Sequence, residues 1–210
     1  VVQDSLVADE LAQLAAWRQG DKAAGQALVE RHYDSVLRFF RTKAGPDADD
    51  LVQQTFLRSV ESADRIRTET SVRSFLFGVA RNVLFEHIRA KVRDGRADPD
   101  FGASSIVDLD PKASTLLLKR SEERALVDAL QRVPVELQIV LELYYWEELS
   151  VDEIAAAVGV PAGTVKSRLH RGRELLRASI ENPPVPTSPS DRASIARWLA
   201  GAPPDEPRSS

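Results

Sequence analysis

No cysteine occurs among the 210 residues, which excludes disulfides and thiolate metal sites and makes a reducing compartment the expected setting. Methionine is also absent, at position 1 included, which fits a processed N-terminus, a valine start codon or a trimmed chain equally. No segment approaches the roughly 18 apolar residues of a membrane span, and Val1 to Gly20 lacks the basic-then-apolar order of a secretion signal. These absences predict a soluble, cytoplasmic protein with no direct membrane insertion. His32, His87 and His170 are scattered, and neither a glycine-rich phosphate loop nor a metal-ligand cluster is present in the sequence. The expectation is a protein that is not an enzyme, with no catalytic residue, no metal, no cofactor and no small-molecule substrate.

What is present is a hydrophobic content of 43 %, enough to build a core in one medium or two small domains. Apolar residues recur at spacings of three and four in almost every segment, and no alternating run is long enough for a strand, so the fold class is all-α. The pattern predicts helices at about 6–19, 22–43, 47–60, 71–93, 114–132, 135–147, 151–158 and 162–180. Between Asp94 and Ala113 the chain is rich in Gly, Asp, Ser and Pro, a turn composition that supplies no core and reads as a flexible linker. The expected units are therefore 1–95, a linker at 96–113, a second helical domain at 114–180, and a Pro-rich tail at 181–210. Ile195, Trp198 and Leu199 give that tail one short amphipathic helix, compatible with folding back, with binding a regulator or with disorder.

The net charge of −4 hides an uneven distribution. Val133 to Val165 carries six acids and no Lys or Arg, whereas Lys166 to Arg177 carries five cations against Glu174 alone. Such a switch within one small domain predicts one face for DNA and another kept away from it. The local signals agree. Ser150 and Glu153 form a capping-box pattern, Gly159 suits a left-handed C-cap, Val160 can plug the turn, and Pro161 opens the next helix. On that helix Val165, Leu169, Gly172 and Leu176 make one buried stripe. Thr164, Lys166, Ser167, Arg168, His170, Arg171 and Arg173 face outward. A solvated basic face on an ordinary bundle helix is the bland alternative. Cap, turn glycine, Pro start and basic face in this order instead describe a helix-turn-helix over 149–177 that enters the major groove of DNA. Thr164, Lys166, Ser167 and Arg168 are the candidates for base or near-base contact, and His170, Arg171 and Arg173 for phosphates.

In the first half, the 47–60 helix turns Val52, Phe56 and Val60 inward and leaves Asp49, Asp50, Gln53, Gln54 and Leu57 on the surface. This face is equally compatible with solvent or with a partner. The 71–93 helix buries Val72, Leu76, Val79, Ala80 and Val83, and carries Asn82, Glu86, Arg89 and Arg93 on its other face, with Arg73, Arg81, Phe85 and Lys91 nearby. Amide, cations and an aromatic on one helix suit backbone contact and stacking on unpaired bases, although Phe85 fits the core as well.

DADDLVQQTFLRSV at 47–60, SFLFGVARNVLFEHIRAKVR at 74–93 and PVELQIVLELYYWEELSVDEIAAAVGVPAGTVKSRLHRGRELLR at 134–177 resemble the bacterial RNA polymerase sigma factors of the extracytoplasmic-function (ECF) type. The resemblance implies that the chain directs core RNA polymerase to promoter DNA for transcription initiation. It implies that the helix carrying Asp49, Asp50, Gln53, Gln54 and Leu57 docks on the β′ clamp helices. It also implies that Arg73, Arg81, Asn82, Phe85, Glu86, Arg89 and Arg93 recognise and melt the −10 element, that the helix-turn-helix reads the −35 element, and that an anti-sigma factor is a partner. Phe75 stands where many relatives have Trp, and Phe77 where Tyr is frequent. A conventional repressor or activator would carry a similar helix-turn-helix without the 49–57 run, and a sigma-like adaptor that binds polymerase alone would not need the basic face at 166–173.

Overall fold

The computed structural model describes residues 2–63, 71–92, 100, 103–106 and 127–181, with side chains from residue 9 to residue 178 of that set. The described residues are helical apart from turns and one isolated antiparallel bridge between Ser105 and Pro134. The first half comprises α1 (Val2–Arg18), α2 (Lys22–Ala44), α3 (Ala48–Glu61) and α4 (Val72–Val92). The second comprises α5 (Val135–Tyr145), α6 (Val151–Val158) and α7 (Ala162–Glu181), preceded by a helical stretch at 127–131. The rest of the helix expected at 114–132, and the tail with its short helix, lie outside the described residues.

Local chemistry sets the joints of the first half. Gly20, at φ +98°, lets the chain reverse after α1. The Asp21 carboxylate then caps α2, accepting from the amides of Ala23 at 2.9 Å and Ala24 at 3.2 Å. A Cβ on Gly25 would lie only 2.4 Å from the Trp17 ring, so the missing side chain is what allows α1 to cross α2 here. Glu10 of α1 meets Arg31 at 3.0 Å and His32 at 3.2 Å.

The two halves share a core. Phe40, Leu51, Val52, Phe77 and Leu84 of the first belong to one apolar cluster with Leu141, Ile154, Val165 and Leu176 of the second. Phe39 sits edge-on to Phe40 and Phe77, with centroids 5.3 and 5.7 Å away. The turn-rich stretch expected to supply no core contributes to it: Ile106 is only 1 % exposed. The reason is local anchoring, since the Val135 amide donates to the Ser104 carbonyl at 3.1 Å and holds that strand-like segment against the start of α5. Composition averages over such a single anchored side chain. Two close helix approaches complete the packing. A Cβ on Gly172 of α7 would stand 2.8 Å from Leu141 of α5, and one on Gly78 of α4 would stand 3.1 Å from the Ala157 carbonyl of α6.

Across this junction lies a buried ion pair that sequence patterning does not reveal. Lys43 of α2 has no exposed side-chain area, and its ammonium donates to the Phe39 carbonyl at 2.9 Å, to Thr42 Oγ1 at 3.0 Å and to Glu142 Oε2 of α5. All three of its donors are thereby used. Glu142 also accepts from Thr42 Oγ1 at 3.2 Å and Gln138 Nε2 at 2.8 Å, while Gln131 Nε2 donates to the Thr42 carbonyl at 2.7 Å. Burial pushes the Glu142 carboxyl up and the Lys43 ammonium down from their ordinary values, and their mutual attraction opposes both shifts. A buried pair is tolerated only when satisfied in this way, and removing one member strands the other charge. Lys43→Ala should lower the unfolding free energy by about 3–5 kcal/mol. The joint replacement Lys43→Met with Glu142→Leu should cost clearly less than either single alanine change, as read by urea denaturation.

Candidate nucleic-acid interface

The helix-turn-helix is built from the local signals in its sequence. Ser150 Oγ accepts the Glu153 amide at 3.2 Å while the Ser150 amide donates to Glu153 Oε2 at 2.9 Å, a complete capping box. Gly159 closes α6 at φ +72°, its amide donating to the Ala155 carbonyl at 2.9 Å. Pro161 stands just outside α7 rather than as its first residue, and its carbonyl accepts the amides of Thr164 at 2.8 Å and Val165 at 3.2 Å. Val165, Leu169, Gly172 and Leu176 are buried, which turns the opposite side of α7 outward. On that side Lys166, Ser167, His170 and Arg171 are exposed, and Thr164 and Arg173 half-buried. Ser167 Oγ donates to the Gly163 carbonyl at 2.8 Å, and His170 Nε2 lies 3.3 Å from Glu174.

Arg168 departs from the expected outward face. Its side chain is 20 % exposed and donates through Nη2 to Glu136 Oε2 of α5. The same carboxylate receives Arg81 Nη2 of α4 at 3.1 Å on its other oxygen. Arg73 likewise reaches Glu147 at 2.8 Å, where Arg38 of α2 joins it at 2.6 Å. Ser71 Oγ and Ser74 Oγ donate to Glu153 Oε1 and to the Glu153 carbonyl, at 2.8 and 2.6 Å. The acidic run of 133–165, expected to form a face kept from DNA, thus receives cations and hydroxyls of the first half. Charge patterning shows such a run but not its mate, because the pairs span sequence separations such as 55, 74 and 109.

The remaining candidates on α4 divide. Asn82, Glu86 and Arg89 are exposed, with Arg58 Nη1 2.6 Å from Glu86, and Arg93 lies outside the described residues. Phe85 is corrected from a surface stacking residue to a core residue. Its ring is 4 % exposed and lies 4.3 Å beneath the Arg81 guanidinium, because α4 is covered by α3 on one side and α6 on another. Phe77, at 1 % exposure, is core as well.

On α3, Asp49, Asp50, Gln53, Gln54 and Leu57 are all exposed, Leu57 at 55 %. Tyr33 of α2, unremarked in the sequence, extends this face: its hydroxyl donates to Asp49 Oδ1 at 3.1 Å. That bond is the chief reason the Tyr33 phenol lies above its ordinary value. An open groove lined by Leu51, Gln54, Val83, Glu86, His87 and Arg89 connects the α3 face to the exposed edge of α4. Among the described residues, no helix is long and apolar enough to cross a membrane, and no group of three or more His, Asp or Glu could hold a metal.

Paired helical halves, one ending in a helix-turn-helix with a basic outer face, define a DNA-binding transcription protein. The family model of Sigma-70 region 2 matches residues 28–94 and that of Sigma-70, region 4 matches residues 123–176, together more than half of the chain. The ECF RNA polymerase sigma factor SigW of Bacillus subtilis is 26 % identical over 179 residues, covering 79 % of this chain and 93 % of that protein. Two solved structures share the fold. CnrH in complex with the cytosolic domain of CnrY has a TM-score of 0.61 at 23 % identity, covering 83 % of this chain and 99 % of that one. The sigma factor RpoE in complex with the anti-sigma factor NepR from Bartonella quintana has a TM-score of 0.57 at 20 % identity, covering 75 % and 97 %. The chain belongs to the RNA polymerase sigma factors of the ECF type, which bring the polymerase to promoters for transcription initiation.

The Glu147 contacts carry a pH dependence. Burial pushes this carboxyl up, but hydrogen bonds from Arg38 and Arg73, with their charges, outweigh it and hold the pKa below the ordinary 4.5. A carboxylate with a lowered folded-state pKa contributes stability that is complete above its unfolded value and is lost as pH falls through the lowered one. Arg38 and Arg73 are 47 % and 36 % exposed, so solvent screens the pairs. Glu147→Gln should therefore cost about 1 kcal/mol at neutral pH. The difference from wild type should shrink as pH drops below 4.5, measured by urea denaturation across an acid series.

Proposed function

We propose that α7 reads the −35 element of a promoter, that α4 recognises and melts the −10 element, and that α3 docks on the clamp helices of the polymerase β′ subunit. The observation that carries this reading is the presence, in one chain, of a capped helix-turn-helix with a basic outer face and of an exposed acidic-amide face around Leu57. A repressor needs only the first, and an adaptor only the second. On α7, Thr164, Lys166, Ser167 and Arg168 approach base edges while His170, Arg171 and Arg173 hold phosphates. On α4, Asn82, Glu86 and Arg89 form the accessible edge, and Arg73 and Arg81 join it when the halves part; Arg93 would extend it. Residues 1–95 and 114–180 act as the two promoter-reading units, with 96–113 spanning them and 181–210 as a tail.

The protein works in the cytoplasm, where polymerase and promoter are, and it recruits the catalytic enzyme without carrying out covalent chemistry. An anti-sigma factor is the expected regulator: the similarly folded RpoE of Bartonella quintana is bound to one. Adding the chain to core polymerase and a promoter library should give transcripts from specific start sites, whereas transcription at the level of core alone would overturn the reading. Leu57→Asp leaves the core untouched because the side chain is 55 % exposed, and it should weaken binding to core polymerase by about 2 kcal/mol or more. Arg168→Ala should cost about 1–3 kcal/mol at one promoter position if the side chain reads a base, and equally on all sequences if it holds a phosphate.

A further inference from the structure

We propose that Arg58 of α3 is a positioning residue for base reading by α4: it holds the Glu86 carboxylate so that Glu86 accepts from the exocyclic amine of a cytosine in the −10 element. The inference rests on the assignment of α4 to that element, and adds to it a residue of α3 and the base that is selected. Arg58 Nη1 donates to Glu86 Oε2 at 2.6 Å, a bond that joins the two helices across their exposed edge. Asn82, Glu86 and Arg89 follow one another on α4 at spacings of four and three, and all three are exposed. An amide, a carboxylate and a guanidinium therefore share one strip. The Glu86 side chain is 55 % exposed and borders the open groove beside Gln54 and Arg89. Among the described residues only Arg58 donates to this carboxylate, through one of its two oxygens.

An exposed ion pair adds little stability, so the place of this one matters more than its strength. A carboxylate on a DNA-facing helix repels phosphate and lowers affinity for every sequence alike. Arg58 offsets that cost by cancelling the charge, and its planar donors engage one oxygen while leaving the other to a base. The chemistry of that oxygen then sets the base, because a carboxylate only accepts. On its major-groove edge cytosine offers the N4 amine alone, adenine sets its N6 amine beside the N7 acceptor, and guanine and thymine present acceptors that a carboxylate repels. Cytosine is therefore the base from which Glu86 accepts without opposition. Arg58 does not touch the base itself. It follows Leu57 on α3 and acts through Glu86 alone.

The test is initiation by core polymerase carrying the full-length chain on templates randomised across the −10 element, with the transcripts sequenced to give the preference at each position. Wild type should favour cytosine over guanine and thymine at one position by about fivefold or more. Glu86→Gln should move the preference at that position to adenine, because a glutamine amide both donates and accepts and so matches N7 and N6. Arg58→Ala should keep cytosine first but lose most of its advantage, and Arg58→Lys, which keeps the charge without the planar fork, should retain more of it than Arg58→Ala. Glu61→Gln removes an exposed acid of α3 outside the pair and should leave every preference unchanged. A merely structural pair would lower the urea midpoints of Arg58→Ala and Glu86→Gln without moving any base preference, and that result would overturn the proposal. A preference that moves with Glu86→Gln but not with Arg58→Ala would overturn the part given to Arg58. Initiation by wild type is scored first. Absence of specific start sites would overturn the promoter reading, whereas specific initiation with the same base preferences in Glu86→Gln would overturn this proposal alone.

Discussion

The arrangement of this chain turns on the buried contact between Lys43 and Glu142, which fastens α2 of the first half to α5 of the second. An ion pair without water is a poor source of net stability compared with apolar side chains of similar volume, but it is directional and costly to break. Phe39, Thr42 and Gln138 satisfy it where α2 meets α5. Further contacts join the halves elsewhere. α4 lies against α6 at Gly78, Glu136 comes between Arg81 and Arg168, and Glu147 comes between Arg38 and Arg73.

This packing changes what the net charge of −4 means. An acidic protein binds DNA through a local basic surface, and here much of the arginine complement of that surface is matched by carboxylates of the same chain. The acids of α5 and the turn after it are therefore not merely a solvated face. They pair with cations of the first half, and such pairs weaken with salt where they are exposed, as at Arg38, but little where they are buried, as at Lys43. The exposed α3 face around Leu57 lies outside this network.

Much of this was legible in the sequence, and what was not shares one cause. Ser150, Glu153 and Gly159 declare α6 and the turn because capping is a local matter, decided within four residues. The face of Asp49, Asp50, Gln53, Gln54 and Leu57 is legible because α3 has one apolar side only. Phe85 was ambiguous because α4 packs on α3, α6, α2 and α1, and a helix covered from several sides has no single inside. Arg73, Arg81 and Arg168 look like free surface cations from their helices alone; their carboxylates arrive from elsewhere in the chain. Lys43 is the extreme case, a fully buried lysine whose carboxylate partner lies 99 positions away. Ile106 shows the same limit in the linker, where one anchored side chain counts for more than the composition around it.

Reading two promoter elements at once requires that the two halves, packed together in the free protein, separate on the polymerase. Since the chain has no cysteine, Gln19→Cys and Ala178→Cys, both at exposed positions in opposite halves, place a pair of fluorophores cleanly. Energy transfer between them should be high in the free chain and fall when core polymerase and promoter DNA are added. Low transfer in the free chain, or transfer that does not change on the polymerase, would contradict a closed state that opens on the enzyme.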